Sequence, residues 1–197
     1  MIMPRVNYRQ LTNFFDYVIE LKQTKRSGWL NKVRVKNPES VADHTYSMST
    51  IIMVFSDILA LRTEKAMKMA ILHDLGESII GDYAPDEISR IEKVSKETEA
   101  IYHITNHLPH DIRKEYQNLW KEYLENKTEI AQLVHGVDKL EMAIQAKKYQ
   151  SQGYSSSILR QFIKSSDGEI HNKKMLRLLR RTKNAVFATR EQGSSDQ

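Results

Sequence analysis

The chain has 197 residues, of which 40% are hydrophobic and 28% are charged, and these ordinary proportions exclude a wholly disordered chain. It contains no cysteine, which excludes a disulfide scaffold, a thiolate zinc site and a cysteine nucleophile, and which fits a cytoplasmic protein. No apolar run approaches the ~18 residues of a membrane span. The first residues also lack the apolar core of a signal peptide.

The formal charge of +5 is concentrated near the C-terminus. Residues 171–190 contain seven basic and no acidic side chains, so the other residues together carry a net charge of −2. Apolar residues recur among these charges, which favours a solvated amphipathic helix. The alternative is a surface for nucleic acid, although aromatic residues do not alternate with the charges as base stacking would need.

Gly and Pro together number only 11, which favours long helices over a turn-rich β protein. Apolar spacing predicts a first helix over residues 8–24. An irregular segment over 25–37 follows, and residues 32–35 in it are the only strand candidate. Ser40, with Asp43 three residues later, is a capping signal for the next helix.

That second helix is predicted to run over 41–61, and Thr63 can cap a third helix that Gly76 ends. Pro85 begins a fourth helix, which extends to about residue 108. Further helices are predicted over 111–125, 128–152, 155–165 and 172–190. The sequence thus predicts an all-α bundle of about seven to nine helices. We expect one domain over residues 1–190 and a disordered tail over 191–197.

Two histidines and two aspartates lie on apolar helical segments, where a charged group is costly unless it is paired or bound to a metal. These residues are His44, His73, Asp74 and Asp138. Together they would form a mixed nitrogen and oxygen site that suits Mn, Co, Fe, Ni or Zn better than calcium. Each also has a structural explanation, since Asp74 could cap a helix and Asp138 could pair with Lys139.

Three segments carry a resemblance to a known family: Asn-Pro-Glu-Ser-Val-Ala-Asp-His over residues 37–44, Leu-His-Asp-Leu-Gly-Glu-Ser-Ile-Ile-Gly-Asp over 72–82, and Val-Asp-Lys-Leu-Glu-Met over 137–142. In this order they resemble the HD-domain phosphohydrolases, and more narrowly the 5′-deoxynucleotidase group. The resemblance spans roughly residues 8–185. It implies an HD-type helical bundle, one divalent metal ion (Co, Mn, Ni, Zn, Fe or Mg) and a homodimer.

The resemblance also implies roles for eight residues. The metal ligands are His44, His73, Asp74 and Asp138. The catalytic residues are Glu77, as the acid or base, and Asp82, which orients the substrate and the attacking water. Arg26 binds the phosphate and Trp29 packs on the sugar, which favours deoxyribose. Alternatives stay open at this point: Lys25, Lys32 and Arg34 compete for the phosphate, Asp82 could fix a turn, and Glu77 could lie at the rim or on the surface.

Other polar residues are weaker candidates. His103 and His107 are four residues apart and could bind a metal from one helix face, but they have no obvious third ligand, and a surface role is favoured for them and His110. His135 could support Asp138 or be a plain helix residue. Glu141 shares a face with Asp138 and could hold a lysine or a ligand histidine, and His171 has no assigned role.

We therefore expect a metal-dependent phosphomonoesterase that converts deoxyribonucleoside 5′-monophosphates to deoxynucleosides and phosphate. Its partner would be a small nucleotide, with no membrane and no nucleic acid. One alternative is another HD-type hydrolase, which would act on triphosphates, pyrophosphates or phosphodiesters. A second is a non-catalytic nucleic-acid-binding protein that uses residues 171–190. A third is a helical protein whose histidines are only structural.

Overall fold

The computed structural model describes residues 6–84, 87–163 and 171–188, and these residues form nine α-helices. In chain order the helices are α1 (Tyr8–Glu20), α2 (Val41–Leu59), α3 (Thr63–Leu72), α4 (Glu77–Ile80), α5 (Arg90–Thr105), α6 (His110–Glu125), α7 (Glu129–Ser151), α8 (Ser156–Ile163) and α9 (Lys173–Ala188). A π-helical segment, Gly28–Val33, lies between α1 and α2. The prediction of an all-α protein is confirmed.

Helix α7 is central to the bundle and contacts α2, α3, α6, α8 and α9. The main core lies where these helices meet α5, and its fully buried side chains include Met48, Ile52, Ile104 and Leu133. Burial of each such side chain contributes roughly 1.5–3 kcal/mol to folding before conformational entropy is subtracted. The apolar faces of these helices therefore fix the positions of the polar residues that interrupt them.

The predicted capping signal at the start of α2 is confirmed. The Ser40 hydroxyl accepts a hydrogen bond from the Asp43 backbone amide at 3.1 Å. In return, Asp43 accepts one from the Ser40 amide at 2.8 Å. This reciprocal pair satisfies two amides that the helix leaves without partners. It fixes the first turn of α2, where His44 lies buried.

The strand candidate over residues 32–35 is wrong. Val33 ends the π-helical segment, and Arg34 adopts a left-handed conformation with φ of 60°. This turn brings Val35 back into the same apolar cluster as Val33 and Trp29. Val33 and Val35 thus alternate with charged residues because both are buried, one on each side of this turn. The described residues contain no strand, only an isolated bridge between Lys25 and Ser40.

Both predicted boundaries of the third helix also differ from the structure. Thr63 is the first residue of α3 and not its cap, because its hydroxyl donates to Asp57 at 2.6 Å. Helix α3 ends at Leu72, before Gly76, which precedes α4. A Cβ atom at Gly76 would lie 3.2 Å from the Glu97 carbonyl oxygen. The glycine therefore permits α5 to approach closely.

Several predictions fall on residues outside the described ranges. The proposed helix start at Pro85 is one of them, and α5 begins at Arg90 with Ser89 as its cap. The tail over 191–197 also lies outside those ranges. Within them, no helix combines the length and the apolar character needed to cross a bilayer.

Candidate metal centre and its cleft

Three helices bring two histidines and two aspartates to one point. His44 comes from the first turn of α2, His73 and Asp74 follow the end of α3, and Asp138 lies in the middle of α7. The His44 Nε2 atom lies 3.5 Å from Asp138 Oδ1 and 3.8 Å from Asp74 Oδ2. His73 Nε2 lies 3.0 Å from the same Asp74 oxygen. Four residues from three distant parts of the sequence thus face one another.

The orientation of each imidazole ring is fixed by a hydrogen bond at its Nδ1 atom. His44 Nδ1 lies 2.7 Å from the buried Glu141 carboxylate, and His73 Nδ1 lies 2.6 Å from the Ala70 carbonyl oxygen. Because these partners accept hydrogen bonds, they favour protons on Nδ1 and leave the two Nε2 lone pairs for another ligand. Both Nε2 atoms are buried without a hydrogen-bond partner among the described residues.

This donor set fits a divalent transition metal. A cation with bonds of about 2.0–2.2 Å to nitrogen and oxygen holds its ligand atoms roughly 3 Å apart, close to the spacing of the His73 and Asp74 atoms. His44, His73 and Asp74 each offer one ligand atom within 4.8 Å of the others. Asp138 joins through its contact with His44. Two orphaned imidazole nitrogens beside two carboxylates are what such a cation would satisfy.

The two aspartates are ionised despite their burial. Burial opposes ionisation of Asp74, but the neighbouring Arg26 guanidinium, 3.2 Å away, holds the pKa of its carboxyl well below the usual value. At Asp138 burial is likewise outweighed, chiefly by Lys139, whose Nζ lies 2.8 Å from Oδ2. Asp138 therefore contacts Lys139 and His44 with different oxygens, so pairing with lysine does not remove it from the site.

Arg26 lies beside this cluster on the loop before the π-helical segment. Its guanidinium nitrogen Nη1 is 3.2 Å from Asp74 Oδ2 and 3.6 Å from Asp82 Oδ1. Asp82 also accepts a hydrogen bond from the Ser27 backbone amide. The carboxylate of Asp82 thus fixes the loop that carries Arg26, and this contact connects the turn after α4 to the cleft.

Glu77 begins α4 and is buried, with only 1% of its surface exposed. The prediction of a rim position after a helix break does not describe it, because α4 restarts the helix and turns the side chain inward. Its Oε1 atom lies 3.5 Å from Lys93 Nζ, whereas Oε2 has no hydrogen-bond partner among the described residues. Burial, together with Asp74 and Asp82, raises the pKa of Glu77 well above its ordinary value.

Trp29 is buried in the cleft wall and is not an exposed platform. Its Nε1–H donates to Glu39 Oε1 at 2.7 Å, and its ring packs edge-on against Tyr149 with 5.3 Å between the ring centroids. Burial and the neighbouring Glu141 raise the pKa of Glu39 to about 8. Glu39 is held from both sides, because its backbone amide donates to the Tyr149 hydroxyl at 2.9 Å.

These residues surround a cleft with a volume of about 340 Å³. Sequence reasoning missed several of its polar lining residues, among them Arg90, Lys93, Glu97 and Tyr123. The only sequence signal for Lys93 is its i, i+4 spacing to Glu97 on α5, a pattern that is common on solvated helices. Lys25, Lys32 and Arg34, the other candidates for phosphate binding, do not line the cleft.

The remaining histidines lie in other surroundings. His103 and His107 pack around Tyr17, whose hydroxyl lies 3.0 Å from His103 Nε2, and neither lines the cleft. His110 is exposed. His135 lines the cleft through a stacked contact with Tyr123, at 4.1 Å between ring centroids. The backbone amide of His171 donates to Gln132, which places it at the start of α9.

Comparison with known proteins agrees with this architecture. A family model described as an HD domain matches residues 18–177, and the chain belongs to the HD domain family. The 5′-deoxynucleotidase HDDC2 of Danio rerio is 40% identical over 171 residues, which cover 86% of this chain and 84% of that protein. The human protein of the same name is 37% identical over 172 residues, with coverage of 87% and 83%.

A solved structure shows the same fold. A conserved hypothetical protein from Pyrococcus furiosus superposes on this chain with a TM-score of 0.72 and 34% sequence identity. The match covers 90% of this chain and 99% of that chain. This chain thus shares its fold with a protein from another organism.

Proposed function

We propose that this protein is a metal-dependent phosphomonoesterase that hydrolyses deoxyribonucleoside 5′-monophosphates to deoxynucleosides and phosphate. Relatives at 37–40% identity carry the name 5′-deoxynucleotidase. One observation carries the proposal at the level of the site. Two buried imidazole nitrogens, which have no hydrogen-bond partner in the part of the chain that the structure describes, face two carboxylates at a cleft that also contains an arginine and a buried glutamate.

His44, His73, Asp74 and Asp138 would hold one divalent cation, either Co, Mn, Ni, Zn, Fe or Mg. When bound, such a cation polarises a phosphoryl oxygen and lowers the pKa of water toward neutrality. Glu141 and the Ala70 carbonyl oxygen support this by fixing the two imidazole rings, with Nε2 directed toward the carboxylates.

The chain's own residues supply positioning and proton transfer. Arg26 binds the substrate phosphate through its guanidinium group, and Asp82 keeps the Arg26 loop in place. Glu77 moves the proton at Oε2, the buried carboxyl oxygen that has no hydrogen-bond partner among the described residues. Trp29 forms the wall that the sugar meets and leaves no partner for a 2′-hydroxyl.

The charge balance of the cleft favours a monophosphate over a triphosphate. Its lining contains five carboxylates, on Asp74, Glu77, Asp82, Glu97 and Asp138, against four cationic side chains. Counted with every carboxyl group ionised, the formal net charge is only +1 even with one divalent cation added, which favours a small dianion over a triphosphate. Assays with triphosphates and cyclic nucleotides distinguish the other HD-type reactions.

Nucleic-acid binding is the second candidate function, and it would use the basic surface of α9. Met175 and Leu179 are buried on one side of this helix. Lys173, Arg177 and Arg181 are exposed on the other and form no ion pair within the described residues. This candidate predicts salt-sensitive DNA binding that charge reversal on α9 abolishes and that His73→Ala leaves unchanged.

We also propose a cytoplasmic location and a homodimer. The absence of cysteine and a nucleotide substrate both fit the cytoplasm. The dimer is supported by an apolar groove between α1, α2 and α3 whose lining includes the exposed side chains of Val18, Tyr46 and Met53. Contiguous apolar surface of this kind is typical of protein interfaces.

The decisive experiment measures phosphate release from a panel of deoxy- and ribonucleoside monophosphates with several added metals. We expect Asp74→Asn to lower activity more than about 100-fold, because it removes a charged ligand at the centre of the site. Asp57→Asn is the matched control, since Asp57 lies near the end of α2, outside the cleft. Full activity of Asp74→Asn, or no release by the wild type with any metal, would contradict the proposal.

A further inference from the structure

We infer that Lys93 is a positioning residue, whose ammonium group holds Oε1 of Glu77 so that Oε2 stays directed into the cleft. This inference rests on the proposed function, in which Glu77 transfers the proton. Lys93 reaches the site from α5, outside the three segments that carry the family resemblance. Glu77 and Lys93 belong to different helices, and α4 and α5 pack directly against each other.

The ammonium group of Lys93 bridges three acceptors. Its Nζ lies 3.5 Å from Glu77 Oε1, 3.5 Å from Glu97 Oε1 and 3.3 Å from the Tyr83 carbonyl oxygen. Glu97 is one helical turn further along α5, so the helix itself sets the spacing of this second anchor. Lys93 is thereby tied to its own helix and to the turn after α4, and its third contact is the Glu77 carboxylate.

These contacts argue against a phosphate-binding role for Lys93. A lysine ammonium has three N–H donors, and three protein acceptors already surround this one. Although burial opposes the charged form, Glu77 and Glu97 raise the pKa of Lys93, so the cation is firmly retained. The Lys93 ammonium group therefore pairs with the carboxylates of Glu77 and Glu97 and does not bind the substrate phosphate.

The two oxygens of Glu77 are consequently not equivalent. Oε1 faces Lys93, while Oε2 is buried and lacks a partner among the described residues. A buried oxygen without a partner is costly, and such atoms cluster where a substrate or water completes the hydrogen bonding. With Lys93 on one oxygen, the carboxyl group has a defined orientation and presents the other oxygen to the reacting groups.

The test compares steady-state hydrolysis of a deoxyribonucleoside monophosphate by the metal-loaded wild type, Lys93→Met and Lys93→Arg. We expect Lys93→Met to lower kcat by about 10–100-fold, part of what a positioned acid–base group contributes. KM should change by less than about threefold, because an interaction that acts only in the transition state affects kcat alone. Lys93→Arg should recover part of the loss, and metal content by elemental analysis should stay at the wild-type level.

Lys65→Met is the matched control, because Lys65 also pairs with a glutamate and is similarly exposed, at 29% against 27% for Lys93. It lies outside the cleft and should leave kcat unchanged. Glu97→Gln provides a second variant in case Lys93→Met does not fold. It removes the charge of the second anchor, and we expect a smaller loss of kcat in the same direction.

A double variant separates positioning from general stability. Once Glu77→Gln has removed the proton-transferring group, adding Lys93→Met should lower kcat by less than about twofold further, since coupled residues are not additive. Additive losses would overturn the inference, as would an unchanged kcat or a raised KM with unchanged kcat in Lys93→Met. If the wild type releases no phosphate, the proposed function fails instead, whereas an active wild type with a fully active Lys93→Met refutes only the role of Lys93.

Discussion

At the scale of single residues, the geometry of the candidate site depends on side chains that contact its histidines from outside the cleft. Glu141 lies one turn after Asp138 on α7 and accepts from His44 across the helix interface at 2.7 Å. Glu39 lies near Glu141 and His44, accepts a hydrogen bond from Trp29, and donates one from its backbone amide to Tyr149. The orientation of His44, and with it the direction of its Nε2 lone pair, is therefore set by Glu141, a carboxylate that does not line the cleft.

Glu39 makes the stability of the metal-free protein depend on pH. Its pKa is raised to about 8, mainly by burial and by Glu141, so the folded state binds more protons than the unfolded state above the ordinary value near 4.5. The free energy of unfolding therefore falls as the pH rises from about 5 to about 8. Glu39→Gln, which retains a carbonyl oxygen for Trp29, should become progressively more stable relative to the wild type over that range.

Urea unfolding of both proteins at pH 5, 6, 7 and 8 in a chelating buffer measures this difference. The two stability curves should diverge toward high pH, because only the wild type loses the favourable buried proton. Curves that stay parallel over the whole range would show that Glu39 keeps an ordinary pKa in the folded protein.

At the scale of secondary-structure elements, helix caps were the most informative sequence signals. Ser40 and Asp43 are local partners, so their pattern alone predicted the start of α2 correctly. The π-helical segment was missed because Val33 and Val35 alternate as they would in a strand, and only the left-handed turn at Arg34 explains why both are buried. Local capping is visible in sequence, whereas burial on a turn requires the tertiary neighbours.

The same limit applies to the candidate site. The residues that the structure brings together at the cluster were anticipated because His44, His73, Asp74 and Asp138 interrupt apolar helices. The contribution of Lys93 and Glu97 could not be predicted, since on α5 alone they resemble any solvent-exposed i, i+4 pair. Only the close approach of α5 at Gly76 brings this pair to Glu77.

The Ser40 cap predicts a measurable contribution of one element to stability. Ser40→Ala removes the acceptor for the Asp43 amide at a buried helix start and should cost about 1 kcal/mol. For a protein of this length the melting temperature should fall by roughly 2–4 °C. Asn7→Ala is the comparison, because Asn7 caps α1, which has no buried residue, and a smaller shift is expected there. Equal shifts in calorimetry would contradict this account of α2.

At the scale of the whole molecule, the cationic helix α9 and the apolar groove lie on different helices. The exposed cations of α9 lie on a helix that packs on α7, whereas the apolar groove is formed by α1, α2 and α3. Helix α1 has no buried residue, although Phe15, Val18 and Ile19 give it apolar character. An amphipathic helix with an uncovered apolar side is stabilised when a second molecule covers it.

This surface predicts a dimer that a single charge weakens. We expect the wild type to sediment at twice the chain mass of 23.0 kDa at micromolar concentration. Met53→Asp should convert it to the monomer, because a buried unpaired carboxylate costs several kcal/mol at an interface. Ile91→Asp is the matched control, since Ile91 is the most exposed large apolar side chain described and lies on α5, outside the groove. A wild-type monomer in sedimentation equilibrium, or equal dissociation in both variants, would show that the groove is not the interface.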